Sequence, residues 1–307
     1  MTLDAFAIAS AAGRVPEDQR RIFTRLGLSH ALAGAVSARG PSELAHKVAG
    51  AGLCIAGGEI FSLVAVPEED YPRVPRPDAL DDLPFLADVP DVALALSELL
   101  GLPAGPFGHD AKVLALGRGE RQAAPGDRVS APGTGRLGPA VTWPGAIGFL
   151  TAGHVAPSAG AVAHDASGAV LGHVVWGNDP ARSATGLADV DVALIDTGAA
   201  PAASAAAAQP AAGAAVTIAG SGLSGTVFGF CSFLRFGGTA TVYADVYLTG
   251  SIISAAGDSG SLAADANGDV VGSLVGAYSG RNMSVIQSIG CQLAAIRTHG
   301  KVAASLL

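Results

Sequence analysis

From residue 113 onward the chain is broken into short apolar runs separated by Gly, Pro, Asn and Asp about every 8–12 residues, the rhythm of an all-β sandwich or barrel. The runs are Ala146–Leu150, Ala169–Trp176, Val190–Ile195, Ala215–Ile218, Thr239–Leu248 and Val270–Tyr278. An Ala/Pro-rich segment, Gly198–Gly213, divides this region. The expected architecture is therefore two similar β units joined by a linker: a first barrel over about 113–197, a linker over 198–213 and a second barrel over about 214–307. Composition agrees. Gly occurs 42 times and charged residues are only 14%, against about 25% in an average domain.

Residues 1–112 have a different character and read as a small α/β accessory or regulatory domain. They carry 9 Lys/Arg and 15 Asp/Glu, whereas 113–307 carry 9 and 11. Pro16-Glu17-Asp18 is a helix start, with Ile22, Phe23 and Leu26 on one face and Gly27 as the stop. A weaker helical run follows from Ser29 to Arg39. Leu53–Ala56, Gly57-Gly58 and Ile60–Val66 read as a β-hairpin. After an acidic, Pro-rich stretch from Pro67 to Pro90, Asp91 opens a helix that reaches Leu100. Gly101 to Gly108 is the expected boundary.

Several function classes are excluded at this level. The net charge is −8 and no basic tract occurs, so the footprint of a nucleic-acid binder is missing. The longest Ala-rich stretch, Ala199–Ala215, contains Pro201, Gln209 and Pro210 and reads as a linker rather than a membrane span. The N-terminus carries Asp4 and no basic region, which argues against a secretory signal and makes a cytoplasmic location the expectation. Cys54, Cys231 and Cys291 are too scattered for a disulfide framework or a zinc site, and Cys231 and Cys291 read as core thiols. His154, His164 and His173 have spacings that match no zinc pattern, so no metal is expected.

Three local motifs carry chemistry. Gly257-Asp258-Ser259-Gly260 is a serine in a tight, glycine-flanked turn, where a hydroxyl can be exposed and backbone N–H groups can converge. Thr151-Ala152-Gly153-His154 ends an apolar strand on a histidine, the natural base for a serine hydroxyl. Asp191-Val192-Ala193-Leu194 places a carboxylate at the head of an apolar strand, where it can fix an imidazole tautomer. Asp189 would face the same side of that strand. Asp191 is preferred because the apolar run begins directly after it. His164 and His173 lack the TAGH context and read as loop or surface histidines.

In the order His154, Asp191, Ser259, these motifs resemble the chymotrypsin-like (trypsin-like) serine peptidases of bacterial type, whose pattern is TA-x-H, then D-[IV]-x-L, then GDSG. The resemblance covers roughly residues 113–307. Leu274-Val275-Gly276-Ala277-Tyr278-Ser279-Gly280 resembles the family's LVGIVSWG strand, and Val216–Gly229 its second-barrel start. It implies a double β-barrel with the site between the barrels, peptide-bond hydrolysis through a Ser-His-Asp triad, a protein or peptide substrate, and no cofactor or metal. By the same resemblance the N–H groups of Gly257 and Ser259 form the oxyanion hole. Ser279 lies near Asp191, and Ser279 and Gly280 meet an extended substrate. Ile253 stands where trypsin-type enzymes carry an aspartate at the pocket floor, so a strong Arg/Lys preference is not expected. Ala255 replaces the first of the cysteines that usually bracket that pocket. Asp258 is the residue that pairs with a freed N-terminal amine in secreted animal members, yet no IVGG-like tetrapeptide precedes the first barrel.

Two alternatives stand beside this reading. The chain can be a protease fold kept as a silent binding or scaffold module, or a protease that awaits an activating partner, with residues 1–112 as the partner-binding part. An α/β-hydrolase needs G-x-S-x-G and the order Ser, acid, His. Here Ser261 stands at the last glycine and the order is reversed.

Overall fold

The computed structural model describes residues 22, 24–32, 48–75, 80–100, 108–116, 128–182, 190–198, 205–236 and 241–307. The protein is mainly β, and its strands form two sheets. Among the described residues, no helix is long and apolar enough to cross a membrane.

The first sheet gathers β4 (Arg128–Ser130), β5 (Thr134–Arg136), β6 (Ala140–Trp143), β7 (Ala146–Thr151), β8 (Val162–His164), β9 (Val170–Asn178) and β10 (Val192–Asp196). Its central strand is β10, paired antiparallel with β7 and β9. Alternation divides the side chains of β10 between two cores. Val192 and Leu194 face one cluster, Ala193 and Ile195 the other.

The second sheet contains β11 (Ala215–Ile218), β12 (Ser224–Arg235), β13 (Val242–Thr249), β14 (Leu262–Asp265), β15 (Val270–Tyr278) and β16 (Met283–Ser288). These pair in the order β11-β14-β15-β16-β13-β12, and β12 pairs back to β11, so six strands close into a ring. Closure removes the exposed edges that an open sheet must protect. The strands at Ala215–Ile218 and Val270–Tyr278 have the limits read from the sequence.

Two features differ from the sequence reading. First, the expected division into 1–112 and 113–307 falls inside a strand, while residues 101–107 of the expected boundary Gly101–Gly108 lie outside the described residues. β1 (Gly50–Ala56) and β2 (Glu59–Pro67) form the expected hairpin around Gly57-Gly58, both at positive φ. β3 (Ala111–Leu116) then adds parallel to β2. This trio is no separate sheet: β1 pairs antiparallel with β12 and extends the second sheet. Both faces of the trio are covered. Leu63, Ala65, Leu114 and Leu116 point into the core shared with Leu234, Phe236 and Tyr243. Val64, Val66, Val113 and Ala115 point the other way. There they meet Leu28 and Leu32 of α1 (residues 24–32) and Val92, Leu96 and Leu99 of α2 (Pro90–Leu100). Strands buried on both faces read as continuous apolar runs, as these do.

Second, α1 runs through Gly27, the expected stop, while Ile22 and Leu26 are exposed. The buried side of this helix is Arg25, Leu28, Ser29 and Leu32. Arg25 bonds Asp110 at 3.0 Å and Glu59 at 3.2 Å, and Ser29 bonds the carbonyl of Gly52 at 2.9 Å. Tertiary packing outweighs the roughly 1 kcal/mol that a glycine costs in a helix. The start at Pro16-Glu17-Asp18 and the run beyond Leu32 lie outside the described residues.

The C-terminus also crosses between sheets. α3 (Ile289–Thr298) was not expected in an all-β region, and it packs Ile289, Leu293 and Ile296 against Val141, Leu150, Val192 and Leu194 of the first sheet. β17 (Ser305–Leu306) then pairs with β6. The last residues of the chain thus complete the first sheet.

Candidate active site

His154 follows β7 by three residues, and Asp191 immediately precedes β10, the neighbour of β7. Strand pairing therefore sets their separation. His154 Nδ1 lies 2.6 Å from Asp191 Oδ2, and the His154 backbone N–H donates to Asp191 Oδ1 at 2.8 Å. Both carboxylate oxygens are engaged, and Asp191 has no exposed surface. A buried carboxylate requires such partners. Asp189, the other candidate acid, lies outside the described residues.

Asp191 is held from the second sheet as well. Its backbone N–H donates to Gln287 Oε1 at 2.7 Å, while Gln287 Nε2 donates to the carbonyl of Ala244 at 2.9 Å. This overturns the expected place of Ser279. Ser279 and Gly280 lie exposed in the turn Ser279–Arg281, past the end of β15, and the side chain that meets Asp191 is Gln287 on β16. Gln287 is the one amide of the strand Met283–Ser288, and no local feature of the sequence marks it as the partner of Asp191.

Ser259 sits in a compact turn. Gly257 and Gly260 on either side have φ of 95° and 87°. The Asp258 N–H donates to the Ala255 carbonyl at 3.1 Å, the Ser261 N–H to the Asp258 carbonyl at 2.8 Å, and the Gly260 N–H to the Leu274 carbonyl at 2.8 Å. Gly260 also lies where the two sheets touch. A Cβ there would come within 2.3 Å of Thr151 Oγ1 and 2.6 Å of the Arg136 carbonyl oxygen. Glycine is required on both counts, conformation and space.

The His–Asp contact is formed. Among the described residues, His154 Nε2 is buried and has no hydrogen-bond partner. Ser259 itself is 0% exposed. Ile253 lies in the core of the second barrel with Val216, Val227 and Tyr247, and its carbonyl accepts from Ser221 Oγ at 2.9 Å. His164 bonds the Gly168 carbonyl at 3.1 Å at the end of β8, and His173 is exposed on β9. Asp258 is bonded by Arg136 at 2.7 Å.

The three cysteines are free thiols. Cys231 and Cys291 belong to different clusters and do not pair. Burial pushes all three thiols up to about 12, so none supplies a thiolate nucleophile at neutral pH. Native protein at pH 8 is expected to resist iodoacetamide at Cys54 and Cys231, and protein in denaturant to react fully. Rapid alkylation of either in the native state would contradict the burial.

No protein-family model and no curated relative matches the chain. Solved structures similar to it are bacterial serine proteases. A glutamic-acid-specific serine protease that uses a histidine triad in substrate binding is 22% identical, with a TM-score of 0.47, covering 59% of this chain and 97% of its own. Protease A of Thermobifida fusca is 16% identical, with a TM-score of 0.45 and coverage of 59% and 97%. The chymotrypsin of Cellulomonas bogoriensis is 19% identical, with a TM-score of 0.43 and coverage of 59% and 96%.

Proposed function

We propose that this chain is a serine endopeptidase of the chymotrypsin-like class, acting on a protein or peptide substrate through an acyl-enzyme. The observation that carries the reading is the His154–Asp191 pair, 2.6 Å apart and buried, with Nε2 unpartnered among the described residues. Asp191 accepts from Nδ1–H, which leaves the Nε2 lone pair to take a proton. In the proposed reaction Ser259 Oγ attacks the scissile carbonyl carbon and its proton passes to His154 Nε2. The tetrahedral oxyanion faces the N–H groups of Gly257 and Ser259, worth about 3–4 kcal/mol per donor in comparable hydrolases. Collapse breaks the C–N bond, and the imidazolium gives its proton to the leaving amine. Water, deprotonated by the same nitrogen, then hydrolyses the ester and frees Ser259.

A second reading, a catalytically silent protease fold that serves as a binding module or waits for an activating partner, is favoured by one observation. Ser259 is fully buried, where a substrate must reach it. A fluorescent fluorophosphonate separates the two. Under the first reading wild type is labelled, and Ser259→Ala and His154→Ala are not. Unlabelled wild type would reject an autonomous hydrolase.

A further inference from the structure

A cleft of about 420 Å³ opens where α1, the β1–β2 turn and the start of β3 meet, on the layer that β1–β3 add to the second sheet. Neither the His154–Asp191 pair nor the serine turn lines it. Its charges are sorted by depth. Arg25 and Lys112 form the floor, 4% and 6% exposed. Glu59, Asp81 and His109 stand exposed at the rim.

The two buried cations differ in their partners. Arg25 donates to Asp110 at 3.0 Å and to Glu59 at 3.2 Å, and its guanidinium lies 4.0 Å from the centre of the Phe61 ring. Its charge is neutralised. Lys112 Nζ donates to the Leu83 carbonyl at 2.7 Å and lies 3.7 Å from the centre of the Phe85 ring. Among the described residues, no carboxylate pairs with that ammonium. An ammonium has three N–H donors, and one carbonyl engages only part of it. A ring face attracts a cation but supplies no counter-charge. A cation buried without a counter-ion is costly.

The anion that Lys112 lacks has to enter from solvent, past Glu59 and Asp81. Asp81 Oδ1 accepts the Gly57 N–H at 3.2 Å, and its other oxygen has no partner among the described residues. A dianion such as phosphate meets like charges on that path. A molecule with a cation behind its carboxylate meets complementary charge at both depths.

We propose that this cleft binds a zwitterion, a free amino acid or a short peptide, with its carboxylate on Lys112 and its ammonium between Glu59 and Asp81. The volume lies within the range of small-molecule sites. Bound there, the ligand bridges β2 through Glu59 and β3 through Lys112, so its binding stabilises that layer. The inference does not rest on the serine-hydrolase reading.

Isothermal titration calorimetry on the full chain tests it. Glycine or glycylglycine is expected to bind at neutral pH and to raise the melting temperature, and the tighter of the two tells amino acid from peptide. Glycylglycinamide lacks the carboxylate and N-acetylglycylglycine lacks the ammonium. Each is expected to bind at least about tenfold more weakly than glycylglycine, the scale of one charge-assisted hydrogen bond. Lys112→Met is expected to weaken glycylglycine by a similar factor. Asp81→Asn, exposed and still able to accept the Gly57 N–H, is expected to weaken glycylglycine but not N-acetylglycylglycine. If Lys112→Met does not melt cooperatively, the Asp81→Asn comparison decides alone. A dipeptide also resembles a hydrolase product, so the titration is repeated on His154→Ala, where binding is expected to be unchanged. Loss of binding in a folded His154→Ala puts the ligand at the other site and overturns the proposal. So do equal affinity for glycylglycinamide, equal affinity in a folded Lys112→Met, inorganic phosphate that binds more tightly than either zwitterion, or no binding of either at millimolar concentration.

Discussion

Asp191→Asn is expected to slow fluorophosphonate labelling of Ser259 by about 10⁴-fold without unfolding the protein. The reason lies in the two contacts of the carboxylate. Asp191 Oδ1 accepts the His154 backbone N–H and Oδ2 faces Nδ1. In asparagine only one of these positions is an acceptor. If the amide oxygen keeps the backbone N–H, the amide NH₂ turns toward Nδ1 and forces it to accept. The ring proton then sits on Nε2, which can no longer take the proton from Ser259. Loss of the tautomer with retention of geometry costs about four orders of magnitude in proteases built this way, or about 5 kcal/mol of barrier. The check is the second-order labelling constant of both forms at one pH, with circular dichroism as the control on folding. A loss below tenfold in a folded variant would show that the 2.6 Å contact does not set the tautomer.

An Nε2 without a partner among the described residues is compatible with this expectation. Hydrogen bonds between nucleophile and base are often long in unliganded enzymes and tighten on binding. In the proposed function Asp191 fixes the tautomer of His154, and the 2.6 Å contact that would do so is already made in this structure.

The same residues show what a sequence can disclose. His154 and Asp191 were legible because each motif ends or begins an apolar strand, and paired strands put such ends together. The hairpin was legible from Gly57-Gly58, and α2 from the apolar spacing after Pro90. Arg136 and Gln287 were not. Arg136 lies 122 residues from Asp258, and Gln287 lies 96 residues from Asp191. Nothing local marks either as a partner, since docking of the sheets makes the choice. The N-terminal boundary failed for a related reason. A switch from acidic, Pro-rich sequence to strand rhythm looks like a domain border, yet β1 finds its partner in β12. α3 did carry a local signal, Ile289, Leu293 and Ile296 at helical spacing, in a region whose β rhythm obscured it.

A chain that begins at residue 117 is therefore expected to lose the fold, not to be released from inhibition. Removing β1–β3 leaves β12 without its partner along residues 229–234. It also uncovers apolar side chains that the missing strands and helices bury. Phe228, Leu234, Phe236 and Tyr243 lose the face formed by Phe61, Leu63, Leu114 and Leu116. Phe233 and Val242 lose the layer under α1 and α2. Full burial of such side chains contributes about 1.5–3 kcal/mol each. If the six forfeit half of that, the loss is roughly 5–9 kcal/mol, the size of the whole net stability of about 5–15 kcal/mol for a typical domain. The new edge on β12 would add a site for association. The expected result is a chain that aggregates or binds 8-anilinonaphthalene sulfonate and shows no cooperative thermal transition, whereas the full chain melts in one. A soluble, cooperatively melting chain from residue 117 that reacts faster with fluorophosphonate than the full chain would reverse the conclusion. It would make the first 116 residues a removable restraint, and the shared core between β1–β3 and the second barrel dispensable. Absence of labelling in an unfolded truncation would carry no such meaning. Melting must therefore be measured before labelling is read.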